Sequence, residues 1–296
     1  AAEHAMDILR VTHHTETFIT LLADLGIGIA KPLSVEAVSD RLSALADLIL
    51  QASFERIWPG VAKKFDLDPA LPSFAVIAYG KLGGKELGYA SDLDLVFLYD
   101  EKEAGADAIH FPAQEVFSLL AKRMINWLTT HTAAGTLFEI DTRLRPNGSA
   151  GFLVTSLDSF RKYQFREGDN AAWVWEHQAL TRARFAAGNL QVAPQFDAIR
   201  SDVLSQVRDV TALRSEILSM RRKVHAGHPN PSSQFDLKHD AGGMVDIEFI
   251  VQFLILAYAH QHPALIGNLG NIALLSIASN AGLIPNESAV AVADAY

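Results

Sequence analysis

The chain has 296 residues, 49% of them apolar, no cysteine and a formal net charge of −9. The missing thiols exclude disulfides and thiolate zinc sites. The acidic balance argues against an extended nucleic-acid interface, which needs a basic face to displace counterions, yet leaves room for a local basic patch that binds one nucleotide. The longest apolar run, Phe249 to Ala259 broken only by Gln252, is too short to cross a bilayer and reads as a buried helix. The first residues carry no basic flank, apolar stretch and cleavage site in order, so a cytoplasmic location with no membrane partner is expected.

In chain order, residues 1–66 read as helical packing. Val38, Leu42, Leu45 and Ile49 recur at helical spacing, Ser34 supplies a cap, and Pro59-Gly60 marks an end. After a turn-rich joint from Asp66 to Pro72, Phe74 to Tyr79 and Leu93 to Tyr99 have the β-branched and aromatic content of strands, joined by a glycine-rich loop. Val116, Leu120, Met124, Trp127 and Leu128 form one face of a helix, and Leu137 to Arg145 alternates as a third strand that stops at Pro146. Beyond Phe152 the pattern is mainly helical, with a polar break at His228 to Ser233 and a turn at Gly242-Gly243. Three regions follow: helices in 1–66, a core in 67–205 and a separate helical bundle in 206–296. Ala289 to Tyr296 looks like a helix cut short, which predicts a piece of a longer protein.

The chemistry is concentrated at Ser91-Asp92-Leu93-Asp94, where two acids spaced by two enter an otherwise apolar strand. Period two puts both carboxylates on one face. Their repulsion raises a pKa unless a divalent cation converts it into binding, and an all-oxygen site suits magnesium. Upstream, Tyr79-Gly80-Lys81-Leu82-Gly83-Gly84-Lys85 leaves the first strand; its glycines would let backbone N–H groups approach phosphate oxygens. It is not a P-loop, because the Gly-Lys pair comes one residue early and Glu86 stands where Ser or Thr is required. Downstream, the alternation of Leu137 to Pro146 places Glu139, Asp141, Arg143 and Arg145 on one face. Beside the Asp-x-Asp strand, Asp141 would complete a three-carboxylate cradle for two metals, with the arginines neutralising a triphosphate.

Other candidates carry less. The pairs His225/His228 and His260/His262 have no further ligand at a recognisable spacing. Asp246 and Glu248 open an apolar helix, where helix-start electrostatics accounts for them as well as function does. Trp173 and Trp175 read as core, with adenine stacking as the alternative.

Taken together, Gly-Lys-Leu-Gly-Gly, Ser-Asp-Leu-Asp-Leu and Asp-x-Arg-Leu-Arg-Pro resemble the glutamine synthetase adenylyltransferase family. Gly148 to Ser156, Trp175 to Arg184 and Gly242 to Phe249 continue its order, so that most of 70–262 is covered. The resemblance implies an α+β, polymerase-β-like nucleotidyltransferase core, a small mixed sheet with helices, flanked by N-terminal helices and a C-terminal bundle. It implies ATP as substrate, two Mg2+ ions with Mn2+ as the alternative, and a tyrosine of glutamine synthetase as AMP acceptor. Asp92, Asp94 and Asp141 would be catalytic and metal-binding. Gly80, Lys81, Gly83, Gly84, Ser91, Arg143 and Arg145 would contact nucleotide, Ser91 as an orienting donor. Lys81 departs from the wider superfamily, in which Ser is common at that place. The family carries an AMP-attaching and an AMP-removing domain, and Trp-Glu-His-Gln-Ala-Leu at 175–180, Ser149 to Ser156 and Asp246-Ile247-Glu248-Phe249 resemble the attaching one, with phosphorolytic AMP removal or a non-catalytic nucleotide-binding regulatory domain as the alternatives. Regulation of the full-length enzyme by glutamine and a PII signalling protein is also implied.

Overall fold

The computed structural model describes residues 2–28, 31–70, 72–101, 113–267 and 269–296. Leu71, inside the expected turn-rich joint, lies outside them. Two helices open the chain, α1 (Ala2–Asp24) and α2 (Val35–Lys64). The strands are β1 (Phe74–Ala78), β2 (Leu93–Tyr99), β3 (Ile140–Asp141), β4 (Val154–Ser156) and β5 (Arg184–Gly188). Between and after them run α3 (Gly80–Gly83), α4 (Ala113–Thr129), α5 (Leu157–Gln164), α6 (Val174–Leu180), α7 (Ala193–Leu204), α8 (Val210–Gly227), α9 (Met244–Tyr258), α10 (Asn271–Asn280) and α11 (Asn286–Ala295). No helix among the described residues is long and apolar enough to cross a membrane.

The architecture is mixed α and β around one small sheet. β1 lies antiparallel between β2 and β5, and the free side of β2 pairs in parallel with β3 near its start and β4 near its end. Both faces are covered, which is why β1 and β2 read as near-continuous apolar runs. Phe74, Val76, Leu93, Leu95 and Phe97 face α2 and α4, whereas Ala75, Ile77, Tyr79, Val96 and Leu98 face a core shared with helices α5 to α10. Phe54, Phe97 and Phe117 each stack on Phe74, with centroids 5.5–5.9 Å away; a fully buried ring of this kind contributes about 1.5–3 kcal/mol. Residue 206 falls in the loop joining α7 to α8, and the helices on both sides of it contribute to this second core.

Three expectations change. Helix α2 runs through Pro59 to Lys64, because Ile57, Trp58, Val61 and Ala62 bury on both sides of the proline and outweigh its missing hydrogen bond. The third strand shrinks to Ile140 and Asp141, because the Asp141 carboxylate accepts the N–H of Arg143 at 2.7 Å and turns the chain out of the sheet. Trp173 is 69% and Trp175 36% exposed. Helix α6 instead buries Glu176, His177, Gln178 and Leu180: Glu176 accepts from Tyr163 Oη at 2.8 Å and the Trp173 N–H at 2.9 Å, and Gln178 donates to Gln252 at 2.9 Å while its Oε1 has no partner among the described residues.

His177 donates from Nε2 to the Gln164 carbonyl at 2.9 Å. Burial, helped by the nearby Arg208 charge, pushes its pKa down to about 4. The native state therefore refuses a proton that the unfolded chain accepts below its ordinary pKa of 6.5. The contribution of a neutral His177 is complete above pH 6.5, falls as the pH drops toward 4, and levels off below that. Thermal melts of the chain and of His177→Gln between pH 7 and 4 test this: the stability difference should shift against the parent by on the order of 3 kcal/mol over that range, and parallel pH profiles would refute it.

Candidate active site

The start of β2 carries the acids. Leu93 N–H donates to the Glu139 carbonyl at 2.9 Å, and the parallel register pairs Leu93 with Ile140 and Asp94 with Asp141. Paired residues point to the same face, and Asp92, two residues before Asp94, shares it. Asp92 is exposed, and Asp94 and Asp141 are half-buried. Asp92, Glu139, Ile140, Asp141, Thr142 and Arg143 line an open cavity of about 380 Å3.

The paired carboxylates are driven apart in pKa. Asp94 is pushed up to about 6 by burial first and then by the charges of Asp92 and Asp141, against partial relief from Arg143 and Arg182. Asp141 moves down, because the Arg143 guanidinium bonds both its oxygens: Nε lies 3.0 Å from Oδ1 and 2.8 Å from Oδ2, and Nη2 also donates to Oδ2.

Beneath Asp94 the glycine-rich segment forms a single helical turn. Gly80 has φ +54°, and a Cβ there would stand 2.0 Å from Asp94 Oδ2. Only glycine lets the backbone pass under this carboxylate. The other two glycines make room for protein groups. A Cβ on Gly83 would meet the Arg182 carbonyl at 2.1 Å, and one on Gly84 the Arg182 guanidinium at 2.5 Å. Their amides donate to the carbonyls of Tyr79 and Gly80, at 2.8 and 3.0 Å.

The remaining predicted contacts are spread around this centre. Ser91 Oγ accepts the Gly88 N–H at 3.0 Å and so tightens the turn entering β2. Lys81 lines a separate cavity of about 490 Å3, with Lys85, Glu86 and residues of α2 and α10. Arg143 has a side chain 77% exposed and stays beside the acids. Arg145 braces the turn after β3, donating to Thr142 O at 2.7 Å, Thr142 Oγ1 at 2.9 Å and Gly151 O at 3.2 Å. Asp246 is engaged elsewhere, with Arg221 and the Gly242 N–H.

The expected cradle is present as a shared face rather than a closed set. Among the described residues no three acidic or histidine side chains stand close enough together to enclose a metal ion. Arg143 bonds both oxygens of Asp141. The donor chemistry nevertheless fits a divalent cation: three carboxylates concentrate negative charge, all donors are oxygen, and the guanidinium on Asp141 is exposed. Asp92, Asp94 and Asp141 are the residues that would hold it.

Two charged residues escaped the motif reading. Glu86 pairs with Arg182 and also accepts from Asn271 N, at 2.6 Å, and Tyr296 Oη, at 3.0 Å. Partners so far apart in sequence leave no local periodic signal; the one clue was the pair of arginines spaced by two in Thr181-Arg182-Ala183-Arg184.

A family model described as glutamate-ammonia ligase adenylyltransferase matches residues 1–199. Proteins named bifunctional glutamine synthetase adenylyltransferase/adenylyl-removing enzyme match nearly the whole chain. That of Burkholderia mallei is 57% identical over 297 residues, covering 100% of this chain and 31% of the relative. That of Aromatoleum aromaticum is 54% identical over 294 residues, covering 99% and 29%. That of Nitrosomonas europaea is 49% identical over 294 residues, covering 99% and 30%. The chain thus spans about a third of the length of these relatives.

The Gly80 contact yields a direct test. Gly80→Ala must displace the Asp94 carboxylate, whereas its backbone penalty is only about 1–2 kcal/mol. Manganese titration followed by electron paramagnetic resonance, with a melt as control, should show divalent affinity falling roughly tenfold or more in a chain that remains folded. Unchanged affinity would show that the position of Asp94 is immaterial to cation binding.

Proposed function

The chain belongs to the glutamate-ammonia ligase adenylyltransferase family, and from that premise we propose that it is the AMP-attaching domain, which moves AMP from ATP to a tyrosine hydroxyl of glutamine synthetase and releases pyrophosphate. The observation that carries this reading is the pairing of Asp94 with Asp141, next to Asp92 and directly above Gly80. On the same reading, residues 67–205 are a polymerase-β-like core, with 1–66 and 206–296 packed around it. The attaching direction is favoured by the motifs at Ser149 to Ser156, Trp175 to Leu180 and Asp246 to Phe249. Glutamine and PII would act through the longer protein.

Chemically, the tyrosine oxygen forms a bond to the α-phosphorus of ATP as the bond to the bridging α–β oxygen breaks in line, and pyrophosphate leaves. Bound divalent cations would screen the triphosphate and favour ionisation of the attacking hydroxyl. Asp92 and Asp94 supply fixed negative charge to seat them. Asp141, held ionised by Arg143, is the carboxylate that takes the hydroxyl proton at Oδ or completes the ligand set. Arg143 is free on its solvent side to transfer from Asp141 to phosphate oxygens as charge builds there. Arg145 keeps the turn that carries Arg143 in shape.

The test is transfer of label from α-labelled ATP to unmodified glutamine synthetase in the presence of magnesium. The chain should transfer label, and an Asp92→Ala, Asp94→Ala double variant should lose roughly 1,000-fold or more. Phosphate-dependent release of AMP from adenylylated glutamine synthetase, with no transfer, would reverse the assigned direction.

A further inference from the structure

A four-residue helix is too short to sustain itself, since nucleation is costly and its terminal groups lack intrahelical partners. The turn at Gly80–Gly83 is nevertheless the surface on which Asp94 rests. Two arginines from the segment entering β5 hold it. Arg182 donates from Nε to the Gly80 carbonyl at 3.0 Å. Arg184 donates to the Leu82 carbonyl from Nε at 3.3 Å and Nη2 at 3.1 Å. Each is anchored in turn by acids of other elements. Arg182 pairs with Glu86 and with Glu248 of α9, the latter at 3.2 Å, and Arg184 pairs with Asp47 of α2 at 2.8 Å. The side chains are only 10% and 11% exposed, and Gly83 and Gly84 are the residues whose missing side chains let Arg182 lie against the turn.

We propose that Arg182 and Arg184 are positioning residues for AMP transfer: by gripping the carbonyls of the Gly80–Gly83 turn they fix the backbone beneath Asp94, and through Glu248 and Asp47 they set it by the positions of α9 and α2. This rests on the function proposed above. Neither arginine lines the acid-bearing cavity, so they act through the turn and not on the reacting atoms. Lysine in place of Arg182 keeps a positive charge for Glu86 and Glu248 but has no second N–H fork with which to reach Gly80.

The experiment compares the chain with Arg182→Lys, Arg184→Lys and Arg221→Lys. The last is a reference that disrupts a similarly buried ion pair, Arg221 to Asp246, with no bond to the turn. Three quantities are read: melting temperature, amide exchange in the segment 79–87, and binding of magnesium-ATP with subsequent label transfer. Arg182→Lys should melt near the reference variant yet speed exchange in 79–87 about tenfold or more and lower the maximal transfer rate roughly 100-fold, since a small misplacement at a reacting centre has that effect. Should Arg182→Lys not fold, Arg184→Lys carries the same comparison through Leu82. Exchange and transfer equal to those of Arg221→Lys would overturn the proposal. A wild-type chain that binds magnesium-ATP but transfers no label, while Arg182→Lys still loosens 79–87 and weakens that binding, would sink the assigned reaction and leave the positioning role standing.

Discussion

The structure is organised around a repulsion. Asp94 and Asp141 are direct partners on adjacent parallel strands, with Asp92 on the same face, and the other residues of β2 are apolar or aromatic. Raising the Asp94 pKa to about 6 corresponds to about 3 kcal/mol of penalty for keeping that carboxylate ionised at neutral pH. One fully buried aromatic ring offsets about as much, and the sheet buries several between α2 and α4. Apolar packing on both faces is therefore what allows an unfavourable charge arrangement to persist at the sheet's end, where β2 leaves its cover and only a two-residue strand continues beside it.

The legible parts of this arrangement were those with a local signature. β1, β2, α4 and α9 follow from the spacing of apolar residues, and Asp92 and Asp94 stand out because carboxylates are rare inside an apolar strand. Asp141 was picked out by the alternation of Leu137 to Arg145, which the backbone does not continue past it. Its own side chain captures the Arg143 N–H, an interaction that competes with sheet pairing wherever aspartate occurs and that spacing does not reveal. The tryptophans of α6 illustrate the opposite failure. Hydrophobicity favoured burial, whereas the partners waiting inside are polar ones from α5 and α9, so the helix turns Glu176 and Gln178 inward and leaves Trp173 outside.

Glycine shows how one composition serves two physical purposes. At Gly80 the missing Cβ makes way for a carboxylate, and at Gly83 and Gly84 for the backbone and guanidinium of Arg182. A reading confined to the loop assigns all three to ligand approach, because a buried arginine arriving from a hundred residues away is invisible to it. Glu86 was similarly weighed only as a mismatch to a phosphate-binding motif. Its role is to join the turn to Arg182, Asn271 and Tyr296, which makes the C-terminal helices part of the site's support.

Arg143 draws these strands of argument together. An exposed side chain that bonds a half-buried carboxylate at both oxygens is held by electrostatics rather than by packing, and packing is what would make it costly to move. It lowers the Asp141 pKa while Asp94, without such a partner, rises. A divalent cation placed among the three acids would relieve Asp94 and supply Asp141 with a stronger counter-charge, removing the reason for Arg143 to remain there. On the function proposed above, the charge that raises Asp94 would thus free a guanidinium to neutralise a polyphosphate. On the same reading, the sequence pattern Asp-x-Arg would be the local device for this exchange, since a tight turn holds Arg143 against Asp141.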